Sequence, residues 1–244
     1  MVLRIASLFA LGALLSAAYC VPADQCNRRT TGLQQLTVNQ LQTKQPTQTL
    51  PANNNVTLQY IALGVGIQNY SCASTSATPE SIGAIATLFD VTGYLQECGN
   101  PKTSKLSAQY LKAYNQEACQ ASRDLDDDSC QQGANFMDFD ILGKHYFGKP
   151  NGAGVPFFDI HDKAFLSAQK TGSCVAPDSA YGGGKKGFGA VDWLFLPSDD
   201  SDRNQGLSEV YRINTAGGLP DPAGCAGGDA TLSYKYVAEY WFFL

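Results

Sequence analysis

The closing run LSYKYVAEYWFF, Leu232 to Phe243, decides the fold class. Successive side chains of a strand point to opposite faces. Tyr234, Tyr236, Ala238, Tyr240 and Phe242 therefore share one face, and Lys235, Val237, Glu239, Trp241 and Phe243 share the other. So dense an aromatic run reads as strand. The same signal recurs upstream. Thr57 to Tyr70, TLQYIALGVGIQNY, alternates and carries β-branched and aromatic residues. Ala84 to Asp90 is another strand, followed by a turn at Val91-Thr92-Gly93-Tyr94. Phe139 to Phe147, Val155 to Ile160, Ala190 to Leu196 and Glu209 to Thr215 complete the series, the last ending in a Gly217-Gly218 turn. Asp162 to Gln169 reads as helix or strand. Residues 104–121 break the pattern: Leu106, Tyr110, Leu111 and Tyr114 have helical spacing, with Ser104 as N-cap. The expected fold is mainly β, an antiparallel β-sandwich or barrel with one helical insert near 104–121.

The chain has 244 residues, 44% of them hydrophobic and 16% charged, which excludes a disordered chain. The formal charge of −5 argues against nucleic acid, which selects a basic face. Residues 1–20 read as a signal peptide: Arg4, the apolar run Ile5 to Leu15, then Ser16, Ala17 and Ala18. That run is too short to span a membrane. The expected organisation is a signal peptide (1–20), a loosely held polar arm (21–55) and a β-rich domain (56–244) with a variable insert at 98–130. The expected location is outside the cell or in the cell wall.

Eight cysteines fit an oxidising compartment. Signal cleavage after Ala18 retains Cys20; cleavage after Cys20 leaves an odd number. No CxxC occurs, which disfavours zinc ribbons and thioredoxin chemistry. Cys119 with Cys130 is a local pair that would close an acidic loop, and Cys72 with Cys225 is a long-range one. With every cysteine paired, no thiolate nucleophile is expected. Asn55 and Asn69 head glycosylation sequons; Asn55 lies in a polar stretch and Asn69 in a strand-like run.

Only two histidines exist, His145 and His161. With Asp159 they make a two-histidine, one-carboxylate set that would suit a metal, with Asp138, Asp140 and Asp162 as alternative oxygen ligands. The bland alternative is a structural His145 and a surface His161. No HExxH and no GxSxG elbow occurs. Asp138, Asp140, Asp159, Asp192 and Glu239 are strand acids of the kind glycosidases pair, or simply wet-face residues. Tyr181 to Gly189, YGGGKKGFG, is a glycine-rich loop whose Lys185 and Lys186 can hold an anion, without P-loop order. Asp124 to Asp128 and Asp199 to Asp202 lack EF-hand spacing. Trp193, Tyr240 and Trp241 read as core; Tyr181 and Phe188, in a loop, read as exposed.

Six phrases occur in order: LQYIALGVGIQNYSC (58–72), GAIATLFD (83–90), LGKHYF (142–147), GAVDWLFL (189–196), EVYRINTAGG (209–218) and YVAEYWFF (236–243). Together they resemble a family of secreted fungal proteins, with bacterial relatives, catalogued as a domain of unknown function. The resemblance covers about 57–244 and implies a secreted β-rich domain of fungal source, with no established catalytic residues. Members are often labelled malate dehydrogenase. A dinucleotide site needs G-x-G-x-x-G between a strand and a helix. Here Gly64-Val65-Gly66 lacks the third glycine and runs on into strand, so an NAD-dependent enzyme is disfavoured.

The leading functional expectation is a secreted, non-catalytic binding or surface protein without a cofactor, its partner a cell-wall polysaccharide or a host component. An extracellular metal-assisted hydrolase or oxidase using His145, Asp159 and His161 is one alternative. A virulence or development factor recognised by another protein is the other.

Overall fold

The computed structural model describes residues 50–52, 55–98, 105–114, 139–148, 154–184 and 187–244. Its strands are β1 Leu58–Ser71, β2 Glu80–Asp90, β3 Ile141–Gly148, β4 Val155–Ile160, β5 Ala164–Ser167, β6 Gly172–Cys174, β7 Trp193–Pro197, β8 Glu209–Gly217 and β9 Thr231–Phe243. The helices are α1 Thr92–Cys98 and α2 Leu106–Ala113. All strand pairs are antiparallel, in one sheet of order β5-β4-β3-β2-β1-β9-β8-β7-β6. The two long strands β1 and β9 form its middle, with Val65 opposite Val237.

The sheet curls into a half-barrel. At one end its edges meet. The chain leaving β5 turns from β4 to β7: Ala168 bridges to Ser198, and the Gln169 amide donates to the Pro197 carbonyl at 3.0 Å. A clasp holds this closure. The Asp199 carboxylate accepts from Ser167 Oγ at 2.5 Å and from the Ser201 amide at 3.0 Å, while the Asp199 amide donates to the Ser167 carbonyl at 3.0 Å. Burial pushes the Asp199 carboxyl up, but hydrogen bonds from Ser167, Ser201 and Asn204 outweigh it and leave the group more acidic than usual. Thus part of the Asp199 to Asp202 run is committed to joining strands.

Curling needs small residues inside. The concave layer sets Ala62, Ala84 and Ala86 against Phe158, Tyr236, Tyr240 and Phe242. Mixing small and large residues is how narrow barrels fill their interior. β1 and β2 approach so closely at Gly66 that a Cβ there would lie 1.9 Å from the Ile85 carbonyl oxygen and 2.6 Å from the Ala86 Cα. The convex face is also apolar. Ile61, Leu63, Val65, Ile67, Ile213, Val237 and Trp241 pack there with Leu106, Tyr110 and Leu111 of α2. This second layer is why the strands are apolar at both alternating positions.

The segment read as a turn after Asp90 is helix α1. The Asp90 carboxylate accepts the Thr92 amide at 2.9 Å, supplying one of the acceptors that a helix start lacks. The helical positions Leu106, Tyr110, Leu111 and Tyr114 are all buried, as their spacing predicts. The residue at the α2 N-cap position is Lys105, which makes no side-chain capping bond; Ser104 lies outside the described residues. Asp162 to Gln169 resolves as a tight turn and β5, and β6 is too short to show alternation. The end of the polar arm is fastened: Leu50 is buried, and the Tyr211 hydroxyl donates to the Pro51 carbonyl at 3.0 Å.

Cys72 and Cys225 form a disulfide with Cα atoms 5.5 Å apart. The reading that every cysteine is paired fails at Cys174, which is free and buried. Burial raises its thiol pKa, which keeps it protonated and unreactive. Residues 1–49, with the signal-peptide reading, and the Cys119–Cys130 and Asp124–Asp128 readings lie outside the described residues.

Candidate functional site

The curled sheet lines an open cavity of about 690 Å³. Phe147, Val155, Pro156, Leu194, Leu196 and Leu219 make much of its wall, which is predominantly apolar. Few polar groups reach it: Gln68 and Tyr70 from β1, Ser81 from β2, Arg212 from β8, and Asp192, Gln169 and Lys170 from the loops.

Arg212 is the unusual residue. β8 alternates, with Tyr211 and Ile213 in the convex layer and Val210 in the concave one. The concave position opposite Leu194 and Tyr240 holds Arg212, which is 9% exposed. Its Nε and Nη2 donate to the Asp192 carbonyl at 3.2 and 2.9 Å. Among the described residues no carboxylate forms an ion pair with it. A β-bulge follows, with Asn214 in the left-handed region (φ 47°), and shifts the register against β9. The bulge lets the Thr215 hydroxyl donate to the Val191 carbonyl at 2.5 Å, tying down the segment that carries Asp192.

Gln68 stands on the same side, 4% exposed, and its Nε2 donor has no hydrogen-bond partner. A buried donor left unsatisfied costs about 1–3 kcal/mol. Tyr70 donates to the Gly218 carbonyl at 2.7 Å, and burial pushes its phenol up to about 12. It stays protonated and serves as a fixed wall. The Tyr236 and Tyr240 hydroxyls are 2.8 Å apart beneath this layer. Burial raises the Tyr240 phenol, against the opposing pull of Arg212.

A family model described as "Protein of unknown function (DUF3455)" matches residues 51–244. The chain belongs to this family. It matches no curated protein and no solved structure at significant similarity. The residues matched include every strand and every wall residue named above.

The metal set read from the sequence is not brought together. On β3 and β4, His145 pairs with Phe158 on the concave face, whereas Asp159 pairs with Lys144 and alternates to the other face. His161 lies exposed past the end of β4. Among the described residues no group of three His, Cys, Asp or Glu side chains is placed to hold a metal. Asp138 is outside the described residues, Asp140 and Asp162 are exposed, and Glu239 is buried, accepting from Asn214 Nδ2 at 2.9 Å and Trp241 Nε1 at 3.0 Å. Of the strand acids among the described residues, only Asp192 lines the cavity. Trp193, Tyr240 and Trp241 are buried, as read, and Phe188 is 44% exposed while Tyr181 is half-buried. Lys185 and Lys186 lie outside the described residues. Asn69 is buried and its amide oxygen accepts from Ser233 Oγ at 2.6 Å; Asn55 is exposed.

His145 is an interior structural residue. Its ring stacks on Phe158 at 4.3 Å and 9°, and Nδ1–H donates to the Phe157 carbonyl at 2.9 Å. Burial pulls its pKa down to about 3, from 6.5. The native state therefore binds fewer protons than the unfolded chain between these values. The stability that follows is complete above pH 6.5 and is lost as pH falls towards 3, by about 1.4 kcal/mol per pH unit. Urea unfolding at pH 7, 5 and 4 should show that decline. His145→Gln should flatten it. An equal slope in both proteins would contradict a neutral, buried His145.

Proposed function

We propose that this protein is a non-catalytic binding protein exported from the cell, whose half-barrel takes a small, largely apolar molecule into its concave cavity. The supporting observation is the cavity itself. Its volume of about 690 Å³ lies in the range of small-molecule sites, and an apolar wall with a few convergent polar groups is their usual make-up. Export is supported by the signal-like N-terminus and by the disulfide. A flat polysaccharide platform is less well supported, because Trp193, Tyr240 and Trp241 are spent on packing. The reactive groups within the sheet are also restrained: His145 is held neutral and the Cys174 thiol is protonated.

N-phenyl-1-naphthylamine, a neutral fluorophore that brightens in apolar sites, tests this reading. One molecule should bind per chain, saturably. Leu194→Trp fills the wall and Val155→Trp narrows the mouth, so each should weaken binding at least tenfold. Far-UV circular dichroism checks that both variants fold. No saturable binding, or equal binding by folded variants, overturns the reading.

A further inference from the structure

We infer that the ligand of this cavity is a monocarboxylate with an apolar body, its carboxylate held between Arg212 and Gln68. The inference rests on the binding reading above and adds the chemistry of the head group. Two independent observations point to an oxyanion. The first is a guanidinium in an apolar wall, 9% exposed, fixed in place through Nε and one Nη2 hydrogen to a main-chain carbonyl. Guanidinium carries five N–H donors; two go to that carbonyl and another to the Tyr240 hydroxyl, so the group is anchored while two donors remain for a ligand. The second is Gln68 on the same wall: its Nε2 is buried without a partner, and exchanging the two ends of the amide turns that donor to the cavity. A buried donor and a buried cation are both satisfied by one acceptor carrying a negative charge.

The charge count selects among anions. The wall holds two cations, Arg212 and Lys170, and one anion, Asp192, which leaves one net positive charge. Lys170 is exposed and Asp192 half-buried, so solvent screens both, whereas Arg212 is buried and its charge is the least screened of the three. A monoanion is balanced by this set; a phosphate dianion is not. A cation meets the guanidinium and is repelled. Much of the rest of the wall, with Pro156, Leu194, Leu196 and Leu219, is apolar. It suits a hydrocarbon or ring body that loses water contact on entry.

The test displaces N-phenyl-1-naphthylamine with octanoate, 1-octanol, octylamine and octyl phosphate at pH 7.5. Octanoate should compete at least tenfold better than each of the others. In Gln68→Leu the advantage over octanol should shrink several-fold, and in Arg212→Gln it should vanish, while octanol changes little. Gln68→Leu keeps the test open should Arg212→Gln fail to fold. Equal competition by octanoate and octanol, with the fluorophore still bound, overturns the carboxylate and leaves the binding reading intact. So does octyl phosphate competing best. Failure of the fluorophore itself to bind removes the underlying reading, and the inference with it.

Discussion

Gly66→Val should abolish the native sheet, while Gly93→Ala should raise the melting temperature. The two changes differ little in chemistry but fall at opposite extremes of available space. A Cβ at Gly66 would sit 1.9 Å from a main-chain oxygen and 2.8 Å from the Ala86 Cβ, in the middle of the β1–β2 ladder. The obstruction is backbone, so no rotamer change relieves it. The strands must part, and with them the curvature that makes the cavity. Overpacking costs about 1–3 kcal/mol where side chains can adjust. Here the ladder itself must move, and the loss should approach the whole stability of a domain, about 5–15 kcal/mol. A Cβ at Gly93 meets nothing within 4 Å, and the residue lies in α1. Alanine there removes the helix penalty of glycine, about 0.5–1 kcal/mol. Thermal unfolding followed by circular dichroism reads both. A cooperative transition for Gly66→Val within a few degrees of wild type would contradict the close β1–β2 approach.

The second large effect follows breaking the Cys72–Cys225 disulfide, as Cys72→Ser with Cys225→Ser. The bond spans a sequence separation of 153 residues. In the chain-entropy view, cross-linking so long a loop destabilises the unfolded state by about 5 kcal/mol. For a domain of this size that corresponds to a melting temperature lower by roughly 10–20 °C. The bond also has a local role. Cys225 lies in the loop between β8 and β9, which supplies Leu219 and Pro220 to the cavity mouth, and Cys72 directly follows β1 and its Tyr70. Fluorophore affinity should therefore fall in the double variant even at temperatures where it remains folded. Unchanged affinity in a folded double variant would show that the mouth is held without the bond.

Much of the sheet was legible because alternation is a local signal. Val237 and Trp241 fall in the convex layer and Tyr236 and Tyr240 in the concave one, as the period predicts. What local pattern could not show is that one sheet is covered on both faces by different means, curling on one side and α2 on the other. The metal reading failed for a register reason. Asp159 and His161 share a face by spacing, but β4 ends at Ile160, and Asp159 is opposite Lys144 while His145 is opposite Phe158. The candidate site was missed, although one signal was present. In EVYRINT an arginine occupies an alternating position that Val210 assigns to the interior, so the phrase held a buried cation in plain sight. Gln68 carries a weaker version of the same signal in TLQYIALGVGIQNY. That these two meet Asp192 at one cavity depends on the order of strands, β1 and β8 on either side of β9, which no single stretch encodes.

The decisive measurement is an X-ray structure of the protein crystallised with octanoate. One octanoate should lie within the half-barrel, its carboxylate hydrogen-bonded to Arg212 and Gln68 Nε2 and its chain against Leu194 and Leu196. Octanoate absent from the cavity at saturating concentration, or bound with its carboxylate away from Arg212, would contradict the assignment of this interior as a carboxylate-binding site.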